Sequence, residues 1–121
     1  MIPVFDTNIL IDYLLGRDRA AEELARFPEA RISVVTWIET MVGARSESEE
    51  SQLRLFLQKF EVIYLDASVA ETAAMLRSSY RLRLPDAVIW ASAKITDSVL
   101  ITRNSKDFPQ GEPDVRFPYS L

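Results

Sequence analysis

A chain of 121 residues has room for one hydrophobic core, and a 48% hydrophobic share with only 3 Gly marks it as globular and not disordered. With 0 His and 0 Cys it excludes imidazole bases, thiolate nucleophiles and ordinary zinc sites. The net charge of −4 argues against a generic basic nucleic-acid binder, yet it suits a site where carboxylates hold a cation. No apolar run approaches the roughly 18 residues of a membrane span. Asp6 interrupts the opening too early for an export signal, so a cytosolic compartment is expected.

Ile2 to Phe5 reads as a buried strand that delivers Asp6 to its end, followed by helix-spaced Ile9, Leu10, Tyr13 and Leu14. Gly16 can stop that helix in a left-handed conformation. Asp18 can cap a second helix running to Phe27, before Pro28. Ile32 to Val35 reads as the second strand, and Thr36 as the cap of a helix carrying Trp37, Met41 and Ala44 on one face. An acidic start at Ser46 to Glu50 leads a helix with Leu53, Phe56, Leu57 and Phe60 on one stripe.

Val62 to Leu65 is the third strand, and Ser68-x-x-Glu71 has the spacing of a capping box for a long helix to Tyr80. Arg81 to Leu84 forms a short loop, and Pro85 suits the first turn of a nearly all-apolar helix from Asp86 to Ile95. Ser98 to Thr102 is the fourth strand and Val115 to Phe117 a short fifth, with a Pro- and Gly-broken loop between them. Strand–helix alternation predicts a mostly parallel sheet covered on both faces, within a single α/β domain over 1–121.

Four acids then stand out. Asp6 follows the first strand, Glu39 lies in the helix after the second, Asp86 opens the apolar helix, and Asp107 follows the fourth strand. Each has a plainer use: Asp6 as a helix cap, Glu39 in a Thr36-x-x-Glu39 capping box, Asp86 as a dipole partner, Asp107 and Asn104 as turn residues. Together they arrive at one edge of a parallel sheet, where ligands of such folds gather. Two carboxylates about 5 Å apart repel by roughly 3 kcal/mol at an effective dielectric near 20. A chain that collects four without His needs a cation, and oxygen-only ligation selects Mg2+ or Mn2+.

Asp6-Thr7-Asn8, Glu39 after Ser33 to Thr36, Pro85-Asp86-Ala87, and Thr102-Arg103-Asn104 through Asp107-Phe108 resemble the motifs of PIN-domain ribonucleases. Within that family they resemble the VapC-type toxins of prokaryotic toxin–antitoxin pairs. The resemblance runs over nearly the whole chain, with the motifs in family order. It implies a three-layer α/β/α domain with a five-stranded parallel sheet of order 3-2-1-4-5. It also implies Mg2+ (or Mn2+) held by Asp6, Asp86, Asp107 and Glu39, the same four acids being catalytic. Thr7, Asn8, Thr102 and Asn104 would fix those ligands by hydrogen bonds. The family varies the offset of its fourth acid, and here Asp107 takes that role with Asn104 as a neutral partner.

The implied reaction is endoribonucleolytic cleavage of structured RNA such as tRNA, leaving a 5′-phosphate. Arg81, Arg83 and Arg103 are the candidate phosphate contacts. A cognate antitoxin and a homodimer are the implied protein partners, and Tyr13, Leu14, Leu53 and Phe56 lie on stripes that serve either the core or an antitoxin groove. The alternatives are a PIN nuclease of RNA processing or of DNA, and a catalytically inert PIN-like interaction module. A HAD-like phosphatase needs a second acid where Asn8 stands, and a receiver domain carries its acids in a different order.

Overall fold

Five short strands pair in parallel into one sheet of order β3-β2-β1-β4-β5, in a computed structural model that describes residues 1–121. The strands are β1 (Pro3–Phe5), β2 (Arg31–Ser33), β3 (Glu61–Ile63), β4 (Val99–Ile101) and β5 (Val115–Arg116). The helices are α1 (Thr7–Leu14), α2 (Asp18–Ala25), α3 (Val34–Met41), α4 (Glu47–Leu57), α5 (Ala67–Tyr80) and α6 (Leu84–Ile95). The order expected from the family resemblance is the order found. Central β1 aligns Val4 with Arg31 on one side and with Leu100 on the other.

Alternation along these strands divides the interior into two cores. Val4 and Leu100 face Val69, Leu76, Val88 and Trp90 of α5 and α6, whereas Phe5 and Ile101 face Ile9, Leu10, Ala20 and Leu57 of α1, α2 and α4. Helices therefore cover both faces, and each large side chain so buried contributes about 1.5–3 kcal/mol. In α6 the unbroken run Asp86 to Ala93 is buried, as its apolar sequence predicts. No helix is long and apolar enough to cross a membrane.

Four helix starts differ from the sequence pattern, the simplest being α6, which begins at Leu84 with Arg83 as its cap and so takes in a residue expected in the loop. The helix α3 begins at Val34, because the Ser33 hydroxyl accepts the Val35 N–H at 3.1 Å; Val34 and Val35 leave the strand, and Thr36 becomes an interior residue. The long helix α5 is capped by Asp66, whose carboxylate accepts the Val69 N–H at 2.9 Å, and not by Ser68. In α2, Asp18 is the first helical residue and Arg17 the cap, without a side-chain bond. Gly16 does take a left-handed conformation, with φ +84, just beyond α1. Tyr13 stacks on Phe56 with ring centroids 5.2 Å apart, and Leu53 and Phe56 are half-buried, which leaves Leu14 the most exposed of that apolar set.

Asp66→Ala should cost about 1 kcal/mol of stability through the lost cap, whereas Ser68→Ala should stay within about 0.5 kcal/mol. Urea midpoints of the two variants check the assignment, and a larger loss from Ser68→Ala would reverse it.

Candidate active site

Asp6 leaves β1 in an extended conformation and caps α1, its Oδ1 accepting the Thr7 N–H at 2.7 Å. Its Oδ2 accepts from the Thr102 hydroxyl at 2.7 Å and the Asn8 amide at 3.3 Å. Thr102 stands just past β4, so the neighbouring ends of β1 and β4 are stitched through one carboxylate. Asn8 adds a second stitch by accepting the Arg103 N–H at 3.1 Å, and the Thr102 oxygen accepts the Asn104 N–H at 3.1 Å. The two strand ends cannot shift apart without breaking these bonds.

Glu39 is exposed and accepts from the Thr7 hydroxyl at 2.6 Å, while Thr7 Oγ1 lies 2.9 Å from Thr36 Oγ1. The capping box of Thr36 and Glu39 is thus overturned. With the helix starting at Val34, Thr36 is already past the cap and Glu39 is free to turn toward α1. Asp86 sits buried in the first turn of α6. The exposed Arg83 donates to it at 3.3 Å and leans toward Asp107 at 3.9 Å.

A polar cleft of about 340 Å3 joins these groups, with Ile11 its single apolar residue. Asp6, Thr7, Asn8, Glu39 and Asp86 line it, with Arg83, Arg103 and Asn104 at its sides. The loop after β4 thus presents Asn104 to the cleft and holds Asp107 outside the lining. There Asp107 accepts from the Asn104 amide at 2.9 Å. A larger hollow of about 520 Å3, lined by Tyr13, Leu24, Phe27, Phe56 and Phe60, is apolar and carries no acid.

Burial pushes the Asp6 carboxyl up to about 6; the Thr102 and Thr7 hydrogen bonds pull against this, and the charges of Asp86 and Glu39 push further the same way. Asp86 is raised as well, by burial first, with Arg83 opposing and Asp107 and Glu39 adding repulsion. As the side chains stand, no three acids are grouped closely enough to ligate one ion. The donor chemistry nevertheless fits a hard divalent cation, because the acids at the cleft are oxygen donors that repel one another and include two buried carboxylates.

The three candidate arginines part company. Arg83 stands at the cleft with its side chain 72% exposed. Arg103 is committed to buried Asp12, with bonds of 2.7 and 3.1 Å, and Tyr119 donates to the same carboxylate at 2.7 Å. Arg81 is exposed in a left-handed conformation at the end of α5 and does not line the cleft. The sequence reading did not single out Asp12 or Tyr119. The spacing of Asp12, one helical turn beyond Asn8 and flanked by Ile11 and Tyr13, was the available signal for the first; nothing local marks the second.

A parallel sheet of order 3-2-1-4-5 with acids gathered at the carboxyl ends of its strands is the architecture of a PIN nuclease domain. The PIN domain family model matches residues 4–111. Ribonuclease VapC1 of Methanocaldococcus jannaschii is 32% identical over 108 residues, spanning 85% of this chain and 76% of the relative. Ribonuclease VapC19 of Mycobacterium tuberculosis is 32% identical over 125 residues, spanning 96% and 98%. Among solved structures, a toxin–antitoxin complex from Klebsiella pneumoniae contains a chain 44% identical to this one, with a TM-score of 0.93 and coverage of 98% and 99%. The chain belongs to the PIN-domain family, and within it to the VapC-type toxins.

Two outcomes follow for stability. The folded protein holds the Asp6 proton more tightly than the open chain does, so this group's stabilising effect is full below about pH 3.8 and is lost as the pH rises through about 6. The loss reaches about 3 kcal/mol in metal-free buffer. Asp6→Asn has no such proton, so urea unfolding across that window should show the variant gaining on the wild type; parallel pH profiles would deny the burial effect. Arg103→Ala leaves Asp12 without its cation and should cost roughly 2–3 kcal/mol, whereas exposed Arg83→Ala should cost under about 1 kcal/mol, as read by thermal midpoints.

Proposed function

We propose that this VapC-type chain is a Mg2+- or Mn2+-dependent endoribonuclease that cuts structured RNA such as tRNA in the cytoplasm. The observation that carries the reading is the acidic cleft itself: buried Asp6 and Asp86 with Glu39 at the end of a parallel sheet, none of them matched by a buried arginine. Asp6, Asp86 and Glu39 would hold the cation, with Asp107 beside them in the adjoining loop. A cation held there would supply an acidified water and positive charge to offset that developing on the phosphate.

The chain's own groups do the rest. Thr102, Asn8 and the Thr7 N–H fix the Asp6 carboxylate at the cleft by donating to it, and the Thr102 and Thr7 bonds oppose the burial that favours its proton. The Thr7 hydroxyl fixes Glu39, whose exposed carboxylate takes the proton of the attacking water. Asn104 holds Asp107 beside the cleft. Attack in line leaves a 5′-phosphate and a 3′-hydroxyl.

An antitoxin is the natural protein partner, since the similar Klebsiella pneumoniae chain comes from a toxin–antitoxin complex. Leu14, Leu15 and Leu53 line a hollow of about 370 Å3 between α1 and α4 that suits apolar side chains of such a partner. A homodimeric form belongs to the same proposal.

Incubating an end-labelled tRNA pool with Mg2+, Mn2+ or chelator tests the reading. Discrete fragments should require the metal and fall by more than about 100-fold in Asp86→Asn, beyond the 10–100-fold typical of outer partners. Fragments indifferent to chelator and to the substitution would refute it.

A further inference from the structure

Arg83 is placed unlike any other arginine of this chain. Its backbone is fixed: it caps α6, and its carbonyl accepts the Ala87 N–H at 3.0 Å. Its side chain is loose, 72% exposed, and holds Asp86 through a single Nε–H bond of 3.3 Å, with Asp107 a further 3.9 Å from Nη2. The bidentate pairs elsewhere are tighter, at 2.7 and 3.1 Å for Arg103 with Asp12 and at 2.9 and 3.1 Å for Arg116 with Glu23. Arg83 is therefore a cation on a fixed anchor with a weak grip. Of the chain's cations it is the one poised between two of the site acids.

We propose that Arg83 stands in for the divalent cation in the metal-free protein, and that metal loading releases its guanidinium to an incoming phosphodiester. The inference rests on the metal-dependent nuclease reading above. One carboxylate cannot serve both cations fully, so metal and guanidinium compete for Asp86. Once displaced, the guanidinium stays at the mouth of the cleft, because α6 anchors its backbone there. A planar fork that has lost its carboxylate is matched to a phosphate. Loading of metal and grip on substrate are thereby coupled, and Asp86 and Asp107 share a cation even before metal arrives.

Calorimetric titration of the full chain with MnCl2 tests the competition. Arg83→Gln should tighten Mn2+ binding about two- to fivefold, the range of an exposed ion pair. Arg81→Gln removes the same charge two residues away and should leave binding unchanged, and Asp86→Asn should abolish it. Equal affinities in wild type, Arg83→Gln and Arg81→Gln, or equal gains in both variants, would overturn the exchange while leaving the metal reading standing. No Mn2+ bound by wild type or by Arg83→Gln would overturn both.

Fluorescence anisotropy with a phosphorothioate oligoribonucleotide reads the second half. Arg83→Gln should weaken binding severalfold with Mn2+ present and leave it unchanged in EDTA. An equal loss under both conditions, or none under either, would overturn the release.

Discussion

Asp6 follows the central strand as a residue only 4% exposed, and neutral donors reaching both of its carboxylate oxygens offset part of the cost of an anion so far from water. The same bonds join β1, α1 and the segment after β4, so the group that needs holding is also the group that holds the strand ends together. The other deeply buried acids are treated differently. Asp12 and Glu23 each receive a bidentate arginine, from Arg103 and Arg116, and their charge is cancelled on the spot. Only at the cleft does the fold leave buried carboxylates without a tight bidentate arginine, Asp86 having one loose bond to Arg83 and Asp6 none.

Much of this was legible in the chain itself. The apolar runs and their helix-spaced neighbours mark every strand and helix, and the acids that follow strands fall where a parallel sheet collects them. Strand order was not legible from pattern, because an apolar run does not name its neighbour; it came with the family resemblance. Glu39 shows the harder limit. Thr36-x-x-Glu39 has the spacing of a cap and of a site, and only the place where α3 begins separates them. The cap is Ser33, three residues ahead of Thr36, and a competition between two hydroxyls for backbone N–H groups leaves no periodic trace.

The loop after β4 was opaque for a related reason. Asn104 and Asp107 are both ordinary turn residues, and which one meets the cleft depends on the path of the backbone, here drawn in by Thr102 accepting the Asn104 N–H. Arg103 looked available because it is flanked by site residues. Its partner Asp12 lies 91 positions away, and no local rule connects them. Tyr119 closes on the same carboxylate from 107 positions away. Contacts of this kind are where a sequence taken alone falls silent.

The order of the sheet also governs when the cleft can form. Its central strand β1 is flanked on one side by β4, so Asp6 lacks its Thr102 partner until β4 has been made and paired. Parallel pairing across such separations is slow to form, since the intervening chain must be ordered before the contact is made. An N-terminal fragment displays one acid, or two, with nothing to align them. A product that stops short of β4 therefore has no assembled cleft, because the site is a property of the paired strand ends and not of any one segment.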